Sequence, residues 1–386
     1  MSKFKNSFIK LKSYCEAQQF KGWDPFDGLN SKLFNVIPFV NKSKLLRLAW
    51  LQAFKRNPLN FRALTGVAKE YNTKGLGLFL TSYCNLYLTD PKEEYLEKIH
   101  FFSKLLLKMQ VKGYSGSCWG YNFNWQARAF FQPKNTPTVV ATSFISSALF
   151  SAYEITKEKA YLNTALSASE FIVNDLNKTV TTKGIAFSYS PLDSTQVLNA
   201  TLLAVKQLSE SYKYNSSSSY LDYAKKGATY VCSHQKKDGS WPYGSLPYHQ
   251  WVDSFHTGYN LECLGVYQQI SKDLSFNSYL EKGLDYYINN FFTAEGASKY
   301  YNNSLYPIDI HAPAQLIVTL SRLHVLNKHK SLVDSVLNWT IDNMQSKDGS
   351  FYYQKRKYFT NKIPYMRWTQ AWMFYGFSFY IKNTNE

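Results

Sequence analysis

Acidic residues are scarce in this 386-residue chain: 27 Asp and Glu stand against 44 Lys and Arg, a formal net charge of +17. Cysteine is scarcer still, and Cys15, Cys84, Cys118, Cys232 and Cys263 are odd in number, scattered, and form no C-x-x-C pair. That excludes a disulfide framework and a cysteine-rich zinc module, and it suits a reducing compartment. No stretch approaches the roughly 18 uninterrupted apolar residues of a spanning helix. The N-terminus, MSKFKNSFIKLKSYCEAQQF, has lysines but no apolar h-region, so no signal peptide is expected and the cytoplasm is the default address. No P-loop, G-x-G-x-x-G or G-x-S-x-G element is present, which leaves nucleotide-driven and nucleophile-elbow chemistry unsupported. Helix-turn-helix, RRM, KH and zinc-finger patterns are also missing, so nucleic acid is not expected as a partner despite the charge.

What the chain has in excess is aromatic side chains: 31 Tyr, 27 Phe and 9 Trp. Many tyrosines in a chain of this kind suit a cavity lined by flat, amphipathic rings. The positive charge is concentrated early, with 13 Lys and Arg in residues 1–70 against Glu16, Asp24, Asp27 and Glu70. Three readings stand: a lysine-rich solvated face, an acidic substrate, and contact with an anionic membrane surface.

A repeat organises the chain. Six segments are apolar nearly all round: Lys74–Leu88, Pro137–Tyr153, Leu192–Leu208, Asp253–Gln269, Asp309–Val325 and Tyr365–Ile381. Their starts lie 63, 55, 61, 56 and 56 residues apart. They alternate with one-sided segments, Lys42–Asn57, Glu93–Gln110, Glu158–Leu176, Ser218–Gln235, Phe276–Phe292 and Lys328–Gln345. A helix apolar on every face must be surrounded, whereas a striped one faces solvent. Six of each predict six helical hairpins in two concentric rings, an all-α (α/α)6 toroid over residues 42–386, with residues 1–41 an N-terminal extension packed on it.

The loop from each outer to each inner helix repeats too: GSCWGY (116–121), GIAFSY (184–189), DGSWPYG (238–244), EGASKYY (295–301) and DGSFYY (348–353). Inner helices therefore start on one rim, where free N–H groups and positive dipole ends gather polar residues. Asp193, Asp253, His256, Asp309, His311 and Arg367 fall there. The mouth is expected to be lined by residues 116–128, 184–193, 239–256, 296–311 and 349–367.

Lys226-Gly227-x-x-Tyr230-Val231-x-x-x-Gln235-x-x-x-Gly239-x-Trp241 resembles the QW repeat of terpenoid cyclases, and Val336–Phe351 is a weaker copy. Asp253-x-x-His256-Thr257-x-Tyr259-x-Leu261 is similar to the zinc-binding segment of protein prenyltransferase β subunits. Both resemblances imply the toroid. The chemistry does not transfer, because D-x-D-D, aspartate-rich and D-x-C elements are missing, and Ser240 stands where that thiolate would. Gly22-Trp23-Asp24-Pro25-Phe26-Asp27-Gly28-Leu29, Cys118–Tyr121 with Trp125–Arg128, and Asp253–Glu262 resemble a group of bacterial proteins encoded among surface-polysaccharide genes. That resemblance implies a glycan substrate, on a scaffold many lyases, glycosidases and epimerases use.

Asp253 and His256, at i and i+3 of one inner helix, share a face, so the carboxylate can orient the imidazole for proton transfer. Asp309 and His311 sit at the same point of the next repeat, and Glu262, two turns below His256, is a further catalytic candidate on the same helix. Abstraction of a proton beside a uronate carboxylate needs a base, a cation and often an opposing tyrosine. His256, Arg128 or Arg367, and Tyr189 or Tyr121 can supply them. Asp193, Asp253 and Asp309 are the acid–base candidates for hydrolysis. Trp119, Tyr121, Trp125, Trp241, Tyr243, His249 and Tyr259 are expected to contact sugar faces. No spacing motif supports zinc on Cys118 and His256, and no cofactor is expected. Uronate lyase or C5-epimerase chemistry leads, on a glycan that is acidic or carried on a polyprenyl diphosphate. Glycoside hydrolysis by the rim carboxylates is the runner-up, and a non-catalytic glycan-binding role and a prenyl or terpenoid enzyme are the further alternatives.

Overall fold

Small and apolar residues recur on every face of the inner segments, and in the computed structural model, which describes residues 2–126 and 131–384, these are the helices that end up enclosed. The helices are α1 (Lys3–Ala17), α2 (Lys32–Val36), α3 (Lys44–Arg56), α4 (Thr73–Thr89), α5 (Glu93–Lys108), α6 (Val139–Thr156) and α7 (Lys159–Glu170). After them come α8 (Leu198–Asn215), α9 (Ser218–Cys232), α10 (Ser254–Ser271), α11 (Asn277–Phe291), α12 (His311–Arg322), α13 (Lys330–Met344) and α14 (Trp372–Thr384). Helices α4, α6, α8, α10, α12 and α14 each pack on the next, and α14 returns to α4, so the inner ring is closed. The fold is an (α/α)6 toroid. Helix α6 is long and apolar enough to cross a membrane by length and composition, and here it is an inner-ring helix buried along most of its length.

Short-range chemistry sets three of the inner helix starts. Asn72, Thr138 and Asp253 cap α4, α6 and α10 by accepting the backbone N–H of Gly75, Ala141 and His256, satisfying donors that a helix leaves orphaned. A widened turn over Met366–Ala371 leads into α14 and carries Arg367 and Trp368.

The recurring Gln, Gly and Trp of the loops are ring mortar. Gln235 donates to the carbonyls of Gly239 and of Tyr279 on the next outer helix, α11. Gly239 has φ +90°, and a Cβ there would lie 2.3 Å from the Lys282 carbonyl oxygen of the same helix. Gln345 repeats the pattern on the Gly349 and Ser7 carbonyls, and a Cβ on Gly349 would lie 2.3 Å from the Lys10 carbonyl oxygen. Helix α1 thus fills the outer-ring position next to α13, and it packs on α14.

This changes the hairpin pairing expected from the repeat. The sixth outer helix is α1, from the segment read as an extension, and α3, read as an outer helix, lies across the mouth. The stripe of α3 explains the misreading, because it is genuine: Leu51 and Phe54 are buried, but against the 26–34 segment. Trp50 on α3 donates to the Gly28 carbonyl, and Arg47 donates to the Gln126 side chain. The G-W-D-P-F-D-G turn is held by ion pairs. Asp27 accepts Arg62 at 2.6 Å, and Asp24 accepts Arg367 through Nε at 2.6 Å and Nη2 at 2.8 Å, all four side chains being buried.

Candidate active site

The inner-helix starts, the outer-to-inner loops and the 26–55 segment enclose a cavity of about 230 Å³. It opens past Phe26, Trp125, Tyr189, Tyr243, Trp251 and Tyr301 into an outer chamber of about 420 Å³. The inner cavity is lined by rings, by His256 and His311, and by the cations Lys55, Lys74 and Arg367. No Asp or Glu is among its described lining residues.

Asp253 lies behind His256. Its Oδ2 accepts His256 Nδ1 at 2.8 Å and Trp251 Nε1 at 3.0 Å, while Oδ1 accepts the His256 backbone N–H at 3.0 Å. With Nδ1–H given to the carboxylate, Nε2 carries the lone pair. His256 is 21% exposed and its partner fully buried, so the imidazole is held from behind and open in front. It also lies 4.7 Å, centroid to centroid, from the Tyr243 ring, which stacks on Trp251.

His311 has a different environment. Its ring is buried between Phe255 and Trp372, with centroids 4.4 and 3.9 Å away. Burial pushes its pKa well below the usual imidazole value, and the neighbouring basic groups, Arg367 among them, push the same way. Its Nε2 shares a 2.8 Å hydrogen bond with the Tyr259 hydroxyl. Tyr259 in turn accepts from Lys74 Nζ at 3.3 Å, so Lys74, Tyr259 and His311 form a chain of hydrogen bonds along the cavity floor. The Tyr259 ring lies 5.8 Å from the His256 ring and 5.7 Å from the His311 ring.

Lys74 is buried under Phe144, Tyr259 and Trp372, its Nζ 4.3 to 5.3 Å from their centroids. Ring faces compensate an ammonium by only about 0.5–2 kcal/mol. None of the ion pairs of the described residues includes Lys74, and desolvation, reinforced by Arg367, holds its pKa well below 10.5. The site therefore favours the neutral amine more than water does. Lys55, over the Phe26 ring at 4.4 Å, is lowered by burial to about 8.

Of the candidates read from the sequence, the structure brings His256, His311, Tyr121, Tyr189, Trp125, Tyr243, Tyr259 and Arg367 to the inner cavity. His249 lines the outer chamber. Tyr189 and Tyr121 approach hydroxyl to hydroxyl at 3.4 Å, and burial raises the pKa of both. Arg128 lies outside the described residues.

Five expectations need correction. Asp309 is not in the cavity: fully buried, it accepts the His311 backbone N–H, Trp368 Nε1 and Gln354 Nε2, and so positions His311 from behind. Trp119 and Trp241 donate to the carbonyls of Leu106 and Val231 inside the wall between rings, because a buried indole N–H needs an acceptor and the outer helix offers one. Glu262 pairs with Lys206 at 2.6 Å within the barrel below the cavity. Asp193 caps its own turn, taking N–H and O–H donors from Ser190 and Thr195. Arg367 reaches the cavity, but its fork is closed on Asp24.

Lys74, Lys55, Phe26, Asn199, Phe255 and Trp368 line the cavity without having been singled out. Lys74 opens the first inner segment, the position at which Asp253 and Asp309 drew notice in later repeats, and that equivalence is the signal that was available.

No family model matches the sequence, and no curated protein matches it. Solved structures do. A sugar epimerase from a ruminal bacterium superposes with TM-score 0.63 at 14% identity, over 83% of this chain and 90% of that one. Unsaturated glucuronyl hydrolase specific for heparin gives 0.64 at 15%, over 99% and 97%. Cellobiose 2-epimerase from Bacillus thermoamylovorans B4167 gives 0.61 at 12%, over 81% and 89%. At such identities the likeness is one of fold: this chain is built on the six-hairpin toroid that those proteins share.

Proposed function

We propose that this chain is a carbohydrate-active enzyme that abstracts a proton from a sugar carbon, and then either returns a proton to that carbon, as an epimerase does, or expels the glycosidic oxygen from the neighbouring carbon to leave an alkene, as a lyase does. The observation that carries it is the cavity's composition: two imidazoles, tyrosines and amines, with every nearby carboxylate turned to a protein partner. Hydrolysis by a carboxylic acid and its partner carboxylate needs two such groups flanking the scissile bond, and the described lining has none. Two of the similar solved structures are epimerases by name, which agrees with this direction.

In this mechanism His256 Nε2 takes the proton from the carbon beside a carbonyl or carboxylate, and the C–H electron pair moves onto that oxygen. Asp253 stabilises the imidazolium that forms, as a buried carboxylate on Nδ1–H does. Tyr259, hydrogen-bonded to His311 and Lys74, supplies a proton from a second position, to the other face of the same carbon in epimerisation or to the departing glycosidic oxygen in elimination. An acidic sugar, uronate-containing or linked to a polyprenyl diphosphate, suits a cavity whose described lining holds Lys55 and no acid, and its anionic group would favour a proton on the Lys74 amine. The ring-lined outer chamber suits the flat faces of further sugars.

The test is incubation with uronate-containing and neutral oligosaccharides in D2O. Deuterium at one ring carbon without cleavage marks an epimerase, and an ultraviolet-absorbing alkene marks a lyase. New reducing ends with neither, or binding with no reaction, would overturn the proposal in favour of a hydrolase or a glycan-binding protein.

A further inference from the structure

We infer that the face bordering the cavity mouth, formed by residues 32–64 and the hairpin at 354–361, docks on an anionic lipid surface. Four observations converge on it. Residues 32–69 contain eight Lys and Arg and not one Asp or Glu, and with Arg62 buried on Asp27 and Lys55 turned to the cavity, six cations remain for this face. The same stretch carries nine of the 21 large apolar side chains exposed among the described residues, including Phe39 at 78%, Leu45 at 75% and Leu64 at 83%. The short hairpin pairing Gln354–Lys355 with Thr360–Asn361 presents Lys355, Arg356, Lys357, Tyr358 and Phe359 at its tip, Tyr358 being 86% exposed. It is tied to α3 by Asn361 Nδ2, which donates to the Asn57 carbonyl.

Exposed apolar side chains interleaved with cations, with no acid between them, are complementary to an interface that is negative at its headgroups and apolar below them. A purely solvated lysine face would not expose Phe39, Leu45 and Leu64, and a polyphosphate chain offers nothing for aliphatic side chains to enter. The location gives the docking a use. Helix α3 sends Leu48 and Gln52 to the outer chamber and Lys55 to the inner cavity, so a bilayer touching this face lies at the entrance. A glycan carried on a lipid would then meet the mouth without leaving the membrane.

The inference does not depend on turnover, and its test measures binding alone. The full chain is sedimented with vesicles of phosphatidylglycerol and phosphatidylcholine, and with phosphatidylcholine alone, at 50 mM and 500 mM salt, roughly a threefold change in Debye length. Binding is expected to the anionic vesicles at low salt, weaker by tenfold or more at high salt, and undetectable on phosphatidylcholine. Phe39→Ser with Leu45→Ser and Leu64→Ser, and separately Lys42→Glu with Lys44→Glu, should each lower the bound fraction at least tenfold. Both changes touch exposed side chains, so an unaltered thermal melt certifies the fold. Failure of the unmodified chain to bind anionic vesicles at low salt would overturn the inference. So would full binding by the serine variant, which would reduce the contact to charge alone. Concentration-dependent dimers that the serine variant abolishes would assign the face to a second copy instead.

Discussion

Replacing Asp253 by Asn separates orientation of the base from folding. The carboxylate accepts three hydrogen bonds: the helix cap at Oδ1, and His256 Nδ1 and Trp251 Nε1 at Oδ2. Asn keeps an oxygen for the cap, and Asn is as good a cap as Asp. Its NH2 group then faces two N–H donors. The imidazole relieves one clash by moving its proton to Nε2, so the nitrogen open to the cavity becomes a donor and loses its lone pair. Loss of a positioned general base costs typically about 10²–10⁴ in rate. The buried charge-assisted bonds contribute on the order of 1.5–3 kcal/mol, and the Trp251 N–H is left unpaired. Because Asp253 is fully buried, the stability loss is therefore near 2 kcal/mol, more than the negligible cost of a substitution on an exposed rim. At about 2–4 °C per kcal/mol for chains of 150–250 residues, and less for longer ones, Tm falls by a few degrees. Deuterium exchange into substrate and a calorimetric melt measure the two effects. Exchange within twofold of the unmodified chain, with the same Tm loss, would show that the Asp253 bonds serve stability alone and would refute the orienting role.

Lys74→Met removes an amine that the fold desolvates. The unfolded chain holds a proton on Lys74 up to about its ordinary 10.5 whereas the folded chain releases it lower, so this residue makes stability rise with pH across that window. The variant should have a higher Tm at pH 7, a flatter Tm–pH slope toward pH 10 and slower turnover; an unchanged slope would show that Lys74 stays charged. Glu262→Gln breaks a buried pair with Lys206, both side chains being at most 2% exposed, and should cost about 3–5 kcal/mol. Chemical denaturation reads that loss, and rate per folded molecule should be unchanged; a specific loss of rate would return Glu262 to the catalytic set.

The rings were legible because they rest on a period, and the hydrophobic stripe reports which faces are enclosed. It does not report what encloses them. Helix α3 has a stripe as clear as any outer helix, yet it covers Leu29 and Phe34 at the mouth, while α1 takes the ring position through a contact 338 residues away in sequence. The site was legible where helix starts converge, as at His256 and His311. Rings gave no such guide, since an indole that stacks on a sugar and one that bonds a carbonyl in a wall, as Trp119 and Trp241 do, have the same sequence signature. Buried cations were hidden for a related reason: whether Arg367 meets a ligand or Asp24 depends on a chain segment more than 300 residues distant.

That distance makes the toroid a ring with a seam. Neighbouring hairpins elsewhere are joined by ties such as Lys206 to Glu262, spanning 56 residues, whereas Arg367 to Asp24 spans 343. Loop-closure entropy scales as 1.5 RT ln n, so closing the seam costs about 1.6 kcal/mol more than closing an ordinary joint. The α1–α14 junction is accordingly the last to form and the first to breathe, and the bidentate Arg367–Asp24 pair acts as its clasp. Amide exchange in α1 should outpace that of the other outer helices, and the clasp sits in the wall of the cavity, so the weakest joint of the ring is also the one whose opening would unmake the site.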